Sequence, residues 1–372
     1  MATLKAGIVG LGFGESHLRT FHDYIDEVDV AAVCDIDEEK ANQFAREYGV
    51  PRVYTDYGDL LADQDVDFIC TGTPGFRHGD ECLAALEAGK HILTTIPMVE
   101  NADKLHQCME IVKAVERTGL KLAMEQNSRW DPRTITLRRL VKDGTIGEVC
   151  YAESEYTHSL VYLFVRDGKK TWRDGFGTTT QESISSGGGI HAIDDIRWII
   201  GQDFTEVVGL GNRIYSPYRT VNDWETAIFR TTGGVTVKIA CCKAMAWPGC
   251  NLYKSLYGTR AAVEGDRRNG VLGIAHAQEE GGLPGEIEPL ELVGLELDAE
   301  VAKRTGHGGG TYHNCRDFVD AILDDRLPFI NVYEAAKSCA AAISSLISIN
   351  EGGRKVYIPQ FYNRLGPERE II

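Results

Sequence analysis

No apolar run of about 18 residues occurs in this sequence, so it offers no helix that would span a bilayer. Positive charge is in deficit. Lys and Arg number 39 against 55 Asp and Glu, a formal net charge of −16. That balance argues against nucleic acid or an anionic membrane as a partner. It leaves the substrate open, because a basic pocket can coexist with an acidic surface. The 10 cysteines stand in no metal-ligand spacing, so no metal site is expected. Cys241 and Cys242 are adjacent in an apparent strand and would point to opposite faces. Reduced thiols in a cytoplasmic protein are the simplest reading. The opening MATLKAG runs straight into a strand pattern, which leaves no room for a signal peptide. Repeats and low-complexity tracts are missing too. At 372 residues with 43% hydrophobic content, two domains with ordinary cores are expected.

What the chain does have is concentrated in residues 4–35. A short apolar run, residues 6–9, meets Gly10, Gly12 and Gly14. Leu18, Phe21 and Tyr24 follow at helical spacing, and a second apolar run, residues 28–34, ends on Asp35. Strand, glycine turn, helix, strand and acid are the parts that bind a dinucleotide. Glycines admit the pyrophosphate, a helix N-terminus faces its charge, and the carboxylate accepts hydrogen bonds from the adenosine ribose. The third glycine of G-x-G-x-x-G would fall at Glu15; here it is Gly14. Contacts are expected from Gly10, Gly12, Phe13, Gly14 and Asp35. Asp35 favours NAD over NADP, because its charge repels a 2′-phosphate and no Arg immediately follows it.

Strands and helices then alternate. Helices are expected over 38–48, capped by Asp37, over 80–88 and over 103–118. Strands are expected over 53–54, 65–71, 92–95 and 121–124. This order specifies a doubly wound parallel sheet, a Rossmann domain over 1–126. Ligands of such sheets sit beyond the carboxyl ends of the strands. Thr71, Thr73, Pro74, Thr95, Ile96 and Pro97 therefore join the expected cofactor set, with His78 close behind.

The character changes near Asn127, and a second α/β domain is expected over 127–372. It has a helix over 134–143, another beginning at Ile190, and strands over 147–158, 206–211, 224–231, 235–242, 252–257 and 261–264. Such a run predicts a mostly antiparallel sheet with one face on helices and one open. An open face of that kind suits a subunit interface. Residues 306–310 are expected as a flexible loop, and residues 312–323 and 332–349 as helices.

These residues together resemble the Gfo/Idh/MocA oxidoreductases, the glucose–fructose oxidoreductase and inositol dehydrogenase group. The likeness rests on the glycine turn, Asp35, Thr73-Pro74 with His78, and Gly89-Lys90-His91. It is completed by Asn127-x-Arg129-Trp130-x-Pro132 and His191-x-x-Asp194-x-x-x-Trp198. It implies an NAD(P)-binding Rossmann domain, a C-terminal domain with a large open sheet, sugar or cyclitol substrates, and dimers or tetramers. Two departures stand out. The family's Glu-Lys-Pro reads Thr95-Ile96-Pro97 here, so Ile96 replaces a lysine near nicotinamide and substrate. The family's Asp four residues before the histidine is Gly187. The sequence is most similar to a branch with a threonine–aliphatic–proline–methionine turn, here Thr95-Ile96-Pro97-Met98.

Oxidation of an alcohol needs a base for the hydroxyl proton. His191 is the leading candidate, where the resemblance places a substrate contact. Asp194, on the same side of its helix, is preferred over Asp195 to orient it. A cation or donor must replace the lost lysine. Arg129, Lys169, Lys170, Arg173 and Tyr156 are the candidates, although Arg129 equally suits a structural salt bridge. His158 would reach the site from its strand end, Trp172 would stack on a sugar ring, and His307 would close over substrate. Three functions fit. The first is an NAD-dependent oxidoreductase of a sugar, glycoside or cyclitol hydroxyl. The second is an NAD-dependent, redox-neutral glycoside hydrolase. The third is a non-catalytic nucleotide-binding protein.

Overall fold

The computed structural model describes residues 3–157, 165–166, 169–170, 188–214, 222–242, 252–278, 283–367 and 369–371, with backbone only at 165–166 and 169–170. The described chain divides into two compact units. The first comprises residues 1–131, 295–336 and 361–372; the second comprises 132–294 and 337–360.

The first unit is built on six parallel strands: β1 (Leu4–Val9), β2 (Val28–Cys34), β3 (Arg52–Tyr54), β4 (Phe68–Thr71), β5 (His91–Thr95) and β6 (Leu122–Glu125). Their order is β3-β2-β1-β4-β5-β6. The helices between them are α1 (Gly14–Tyr24), α2 (Glu38–Tyr48), α3 (Tyr57–Ala62), α4 (Gly75–Glu87) and α5 (Gln107–Thr118). β4 and β6 are buried at every residue, as expected for strands covered on both faces. Asp37 caps α2 by accepting from Lys40 N at 3.1 Å, and Gly49 ends the helix at φ 66°. The strand order reverses between β1 and β4, where Val9 pairs with both Cys34 and Thr71. Gly10, Asp35 and Gly72 therefore leave the sheet at one level, at its topological switch point.

Two later elements complete this unit: α8 (Ala299–Thr305) and α9 (Gly310–Leu323). α9 packs on α1, and its Phe318 meets Phe68 edge-on at 5.5 Å, while Phe68 meets Phe21 at 5.3 Å. Residues 306–310, expected as a flexible loop, are instead ordered. His307–Gly309 form a 3-10 turn, and α9 begins at Gly310. Positive φ at Gly306, Gly308 and Gly309 closes this turn, so the glycines serve a tight bend rather than looseness.

The second unit holds α6 (Pro132–Lys142), α7 (Gly189–Ile200) and a nine-stranded sheet. Its strands are β7 (Val149–Thr157), β10 (Phe204–Asn212), β11 (Trp224–Thr231), β12 (Thr236–Cys242), β13 (Leu252–Gly258), β14 (Ala261–Gly265), β15 (Leu272–Ala277), β16 (Pro284–Pro289) and β17 (Val356–Tyr357). A two-residue hairpin, β8 (Val165–Arg166) with β9 (Lys169–Lys170), stands apart. The long sheet runs β16-β15-β14-β13-β7-β12-β11-β10-β17 and is antiparallel except where β7 meets β12. α7 packs on β7, β12 and β13. β11 alternates: Ala227 and Phe229 are buried, while Trp224, Ile228 and Arg230 point outward. Val208, Leu210 and Ile228 share that outer face and are 40%, 65% and 42% exposed. A final helix, α10 (Val332–Asn350), begins in the first unit and continues in the second.

Candidate functional site

In the first unit the glycine turn explains itself residue by residue. Gly10 has φ +76°, and a Cβ there would lie 2.8 Å from Gly72 C and Thr73 N. A Cβ on Gly72 would lie 2.4 Å from Gly14 N, and one on Gly14 would press Ile8 at 3.1 Å. Gly10 and Gly72 are required by the close approach of β1, β4 and α1, while a Cβ at Gly14 would have to displace the Ile8 side chain by a few tenths of an ångström. Gly12 is different: a Cβ there would meet only Lys40 Nζ, at 3.9 Å. No packing demands glycine at this exposed position. Open backbone beside the uncapped first turn of α1 is what a pyrophosphate requires, so the residues present fit a dinucleotide. Phe13, at 54% exposed, borders the turn.

Asp35 follows β2 and faces this turn. Its Oδ2 accepts from Leu11 N at 2.9 Å and from Lys40 Nζ at 3.1 Å, and its Oδ1 accepts from Asp37 N at 3.0 Å. Lys40 was not legible as part of the site. It lies five residues on, across a helix cap, where no regular spacing points back to Asp35.

The ends of β4 and β5 are tied together by His78. Its Nδ1 lies 2.8 Å from Pro97 O, and its Nε2 lies 2.9 Å from Thr73 O and 3.2 Å from Thr95 Oγ1. Thr71 is buried and donates to Thr94 Oγ1 at 3.1 Å, so its hydroxyl is used inside the sheet. Thr73 donates to the buried Glu81 at 2.6 Å. Pro74 and Ile96 are half-buried, and the Ile96–Pro97 peptide is cis.

Behind the turn lies a buried charge pair. His17 Nε2 on α1 is 2.7 Å from Glu125 Oε2 at the end of β6, with side chains 2% and 6% exposed. Thr311 at the start of α9 donates to Glu125 Oε1 at 2.9 Å, and His307 Nδ1 lies 3.2 Å from Thr311 Oγ1. Burial pushes the Glu125 carboxyl up, but the His17 charge and hydrogen bonds outweigh it and hold the pKa at about 2. Burial lowers His17, yet its contact with Glu125 leaves it raised overall.

The Asn127-x-Arg129-Trp130 motif forms a 3-10 turn. Trp130 Nε1 donates to Asn314 Oδ1 at 3.0 Å, and Asn314 Nδ2 donates to Asn127 Oδ1 at 3.0 Å. Arg129 is 1% exposed, lies 2.7 Å from Glu334 Oε2 and sits over the Phe329 ring. These contacts bind the turn to α9 and to the start of α10.

In the second unit, α7 follows Gly188. A Cβ on Gly188 would lie 1.9 Å from Tyr156 Cε1, so glycine there lets the Tyr156 ring lie on the helix start. Tyr156 and His191 are thereby brought together, with ring centroids 6.0 Å apart. His191 is 9% exposed. Asp194 is fully buried, accepts a short hydrogen bond from Ser338 and lies 3.5 Å from Arg197 Nη2. Asp195 is also fully buried and faces Lys254 Nζ on β13 at 2.9 Å. Lys254 gave no signal in the sequence, because it sits in a strand 59 positions beyond Asp195. His158, Trp172, Arg173 and Gly187 lie outside the described residues, as do the side chains of Lys169 and Lys170. Among the described residues, no group of three or more His, Cys, Asp or Glu could hold a metal ion, and no helix is long and apolar enough to cross a membrane.

Comparison with known proteins gives a consistent picture. A family model described as an oxidoreductase family, NAD-binding Rossmann fold (Gfo/Idh/MocA), matches residues 4–126. The Gfo/Idh/MocA C-terminal domain matches residues 134–264. A glycosyl hydrolase 109 C-terminal domain matches residues 296–364. An inositol 2-dehydrogenase of Salmonella typhimurium is 28% identical over 64% of this chain and 66% of its own length, just under two thirds. A glycosyl hydrolase family 109 protein of Shewanella pealeana is 23% identical over 97% of this chain and 86% of its own. Among solved structures, an oxidoreductase domain protein from Kribbella flavida has a TM-score of 0.79 at 22% identity, covering 97% of this chain and all of that one. A levoglucosan dehydrogenase in complex with NADH has a TM-score of 0.78 at 18% identity, over 96% of this chain and 100% of that one.

Proposed function

We propose that this chain, which belongs to the Gfo/Idh/MocA oxidoreductase family, is an NAD-dependent oxidoreductase acting on a hydroxyl of a sugar, glycoside or cyclitol. The observation that carries the reading is Gly12, a glycine without a packing reason beside a carboxylate at the switch point of an NAD-binding fold. The inositol 2-dehydrogenase relative supports the substrate class. The 1–126 segment carries the cofactor and 127–372 the substrate.

In the reaction, a carbinol C–H bond breaks with its electron pair, the hydroxyl loses its proton, and a carbonyl forms. Bound NAD supplies the hydride acceptor. His191 takes the proton, and Tyr156, packed beside it, steadies the developing alkoxide. Asp194 acts through α7, which it anchors to Ser338 on α10, rather than on the substrate. Arg129 is committed to Glu334 and serves the fold.

A second reading has its own support. The family 109 relatives align over nearly the whole chain, and that family's C-terminal domain matches 296–364. In a redox-neutral glycosidase, the hydride removed from a ring carbon is returned after elimination of the aglycone and addition of water. The loss of the lysine at Ile96 suits such altered chemistry. We place the protein in the cytoplasm on its scattered cysteines; of the nine described, only Cys150 is exposed. We also propose a homo-oligomer formed through the outer sheet face bearing Val208, Leu210 and Ile228.

The test is incubation with NAD and a panel of sugars, cyclitols and glycosides, with NADH absorbance followed while products are read by mass spectrometry. A keto product with matching NADH supports the dehydrogenase. Free sugar and aglycone without net NADH supports the second reading. His191→Ala should lower turnover by about 10²–10⁴-fold; unchanged turnover would remove His191 from the chemistry.

A further inference from the structure

A carboxylate after the second strand of a dinucleotide fold ordinarily excludes a 2′-phosphate by charge. Asp35 does not stand alone. Its Oδ2 faces the Lys40 ammonium at 3.1 Å, and its remaining acceptor capacity is largely taken by Leu11 N and Asp37 N. Lys40 also borders the open space over Gly12, the position left clear of protein atoms. Asp35 is 10% exposed and Lys40 33%. The ammonium therefore lies at the boundary between carboxylate and solvent, on a flexible stem that can turn from one anion to another.

We propose that Lys40 is a cofactor-specificity residue that lets this site accept the 2′-phosphate of NADP as well as the 2′-hydroxyl of NAD. The inference rests on reading the Gly10–Gly14 turn as a dinucleotide site. With NAD bound, Lys40 stays on Asp35 and the carboxylate receives the ribose hydroxyl. With NADP bound, Lys40 turns to the phosphate and offsets the repulsion from Asp35. Asp37, Glu38 and Glu39 at the start of α2 oppose this. Asp37, however, is turned onto backbone N–H as the helix cap, and Glu38 and Glu39 are exposed and screened. NADP is thus the weaker ligand of the two. Its binding depends on one cation and weakens more steeply with salt than that of NAD.

The experiment is a fluorescence titration of the full chain with NADH and NADPH, as wild type, Lys40→Ala and Lys40→Arg, at low and high salt. Wild type should bind both. Lys40→Ala should weaken NADPH about tenfold or more and NADH less than about twofold. Lys40→Arg should keep NADPH binding. Equal weakening of both nucleotides by Lys40→Ala would overturn the proposal, because a pyrophosphate contact serves both alike. NADH binding without detectable NADPH binding to wild type would also overturn it, while leaving the dinucleotide site intact. Failure of NADH itself to bind would refute the dinucleotide reading and the inference with it.

Discussion

Lys254 on β13 and Asp195 on α7 face each other at 2.9 Å, with side chains 1% and 0% exposed. The two atoms touch without the alignment of a hydrogen bond. Each ion was stripped of water to reach this position, and their mutual attraction offsets that cost only while both are present. Lys254→Met or Asp195→Leu alone should destabilise the protein by about 3–5 kcal/mol. The double variant should recover most of the loss. Denaturant unfolding of the four proteins in a double-mutant cycle measures this. A double variant as unstable as the sum of the singles would mean that the pair matters through packing.

The glycine turn separates folding from binding. Gly72→Ala drives a Cβ against Gly14 N and should cost at least about 2 kcal/mol of stability. A Cβ at Gly12 meets no protein backbone, so Gly12→Val should melt near wild type while losing NADH binding. Thermal unfolding and NADH titration of the two variants should therefore show opposite profiles. A stable Gly12→Val protein that still binds NADH would remove Gly12 from the cofactor site.

His17 and Glu125 should make stability pH-dependent in a defined window. The folded pKa of Glu125 is depressed from 4.5 to about 2, so its contribution is present above 4.5 and lost as pH falls towards 2. That of His17 is raised from 6.5, so its contribution is present below 6.5 and lost as pH rises through the folded value. The stability difference between wild type and Glu125→Gln should be largest between pH 4.5 and 6.5, on the order of 3–5 kcal/mol. A difference that is flat with pH would show that the pair is not ionised.

His91 behaves in the opposite sense. Burial, with the Lys121 charge, lowers its pKa from 6.5 to about 4, and Nδ1 accepts from Lys121 N at 2.8 Å. The neutral ring stabilises the fold above pH 6.5, and this is lost as pH falls through 4. His91→Asn keeps an acceptor for Lys121 N. It should flatten the stability loss over that interval by on the order of 2 kcal/mol, the ring being only half-buried. An unchanged acid slope would assign the loss elsewhere.

The sequence was most legible where local signals agree. α2 was expected over 38–48 with Asp37 as its cap, and β11 over 224–231; both occur with those bounds. β15 and β16 passed unseen. Glycine, proline and glutamate dilute their alternation, and β16 is largely exposed. α8 was missed although Asp298 caps it, because its seven residues carry no long apolar stripe. In the site, the glycines and Asp35 sit on a motif that spacing reveals and His191 on one that the family resemblance supplies, whereas its neighbour Tyr156 is found only through a tertiary contact. Lys40, Gly72, Glu125 and Lys254 acquire their roles through tertiary contacts, and no local pattern announces a partner 108 residues away, as with His17 and Glu125.

α9 supplies Cys315, Phe318 and Val319 to the core of the six-stranded sheet, and Thr311 to Glu125. Those residues leave the ribosome nearly 200 positions after β6 has been made. At roughly 5–20 residues per second, the parallel sheet waits on the order of ten to forty seconds with the Phe68 side of its core uncovered. Through that interval the nascent first unit presents an apolar surface to its surroundings. Transiently exposed apolar surface is what chaperones recognise, and the order of synthesis keeps that window open until α9 closes the core.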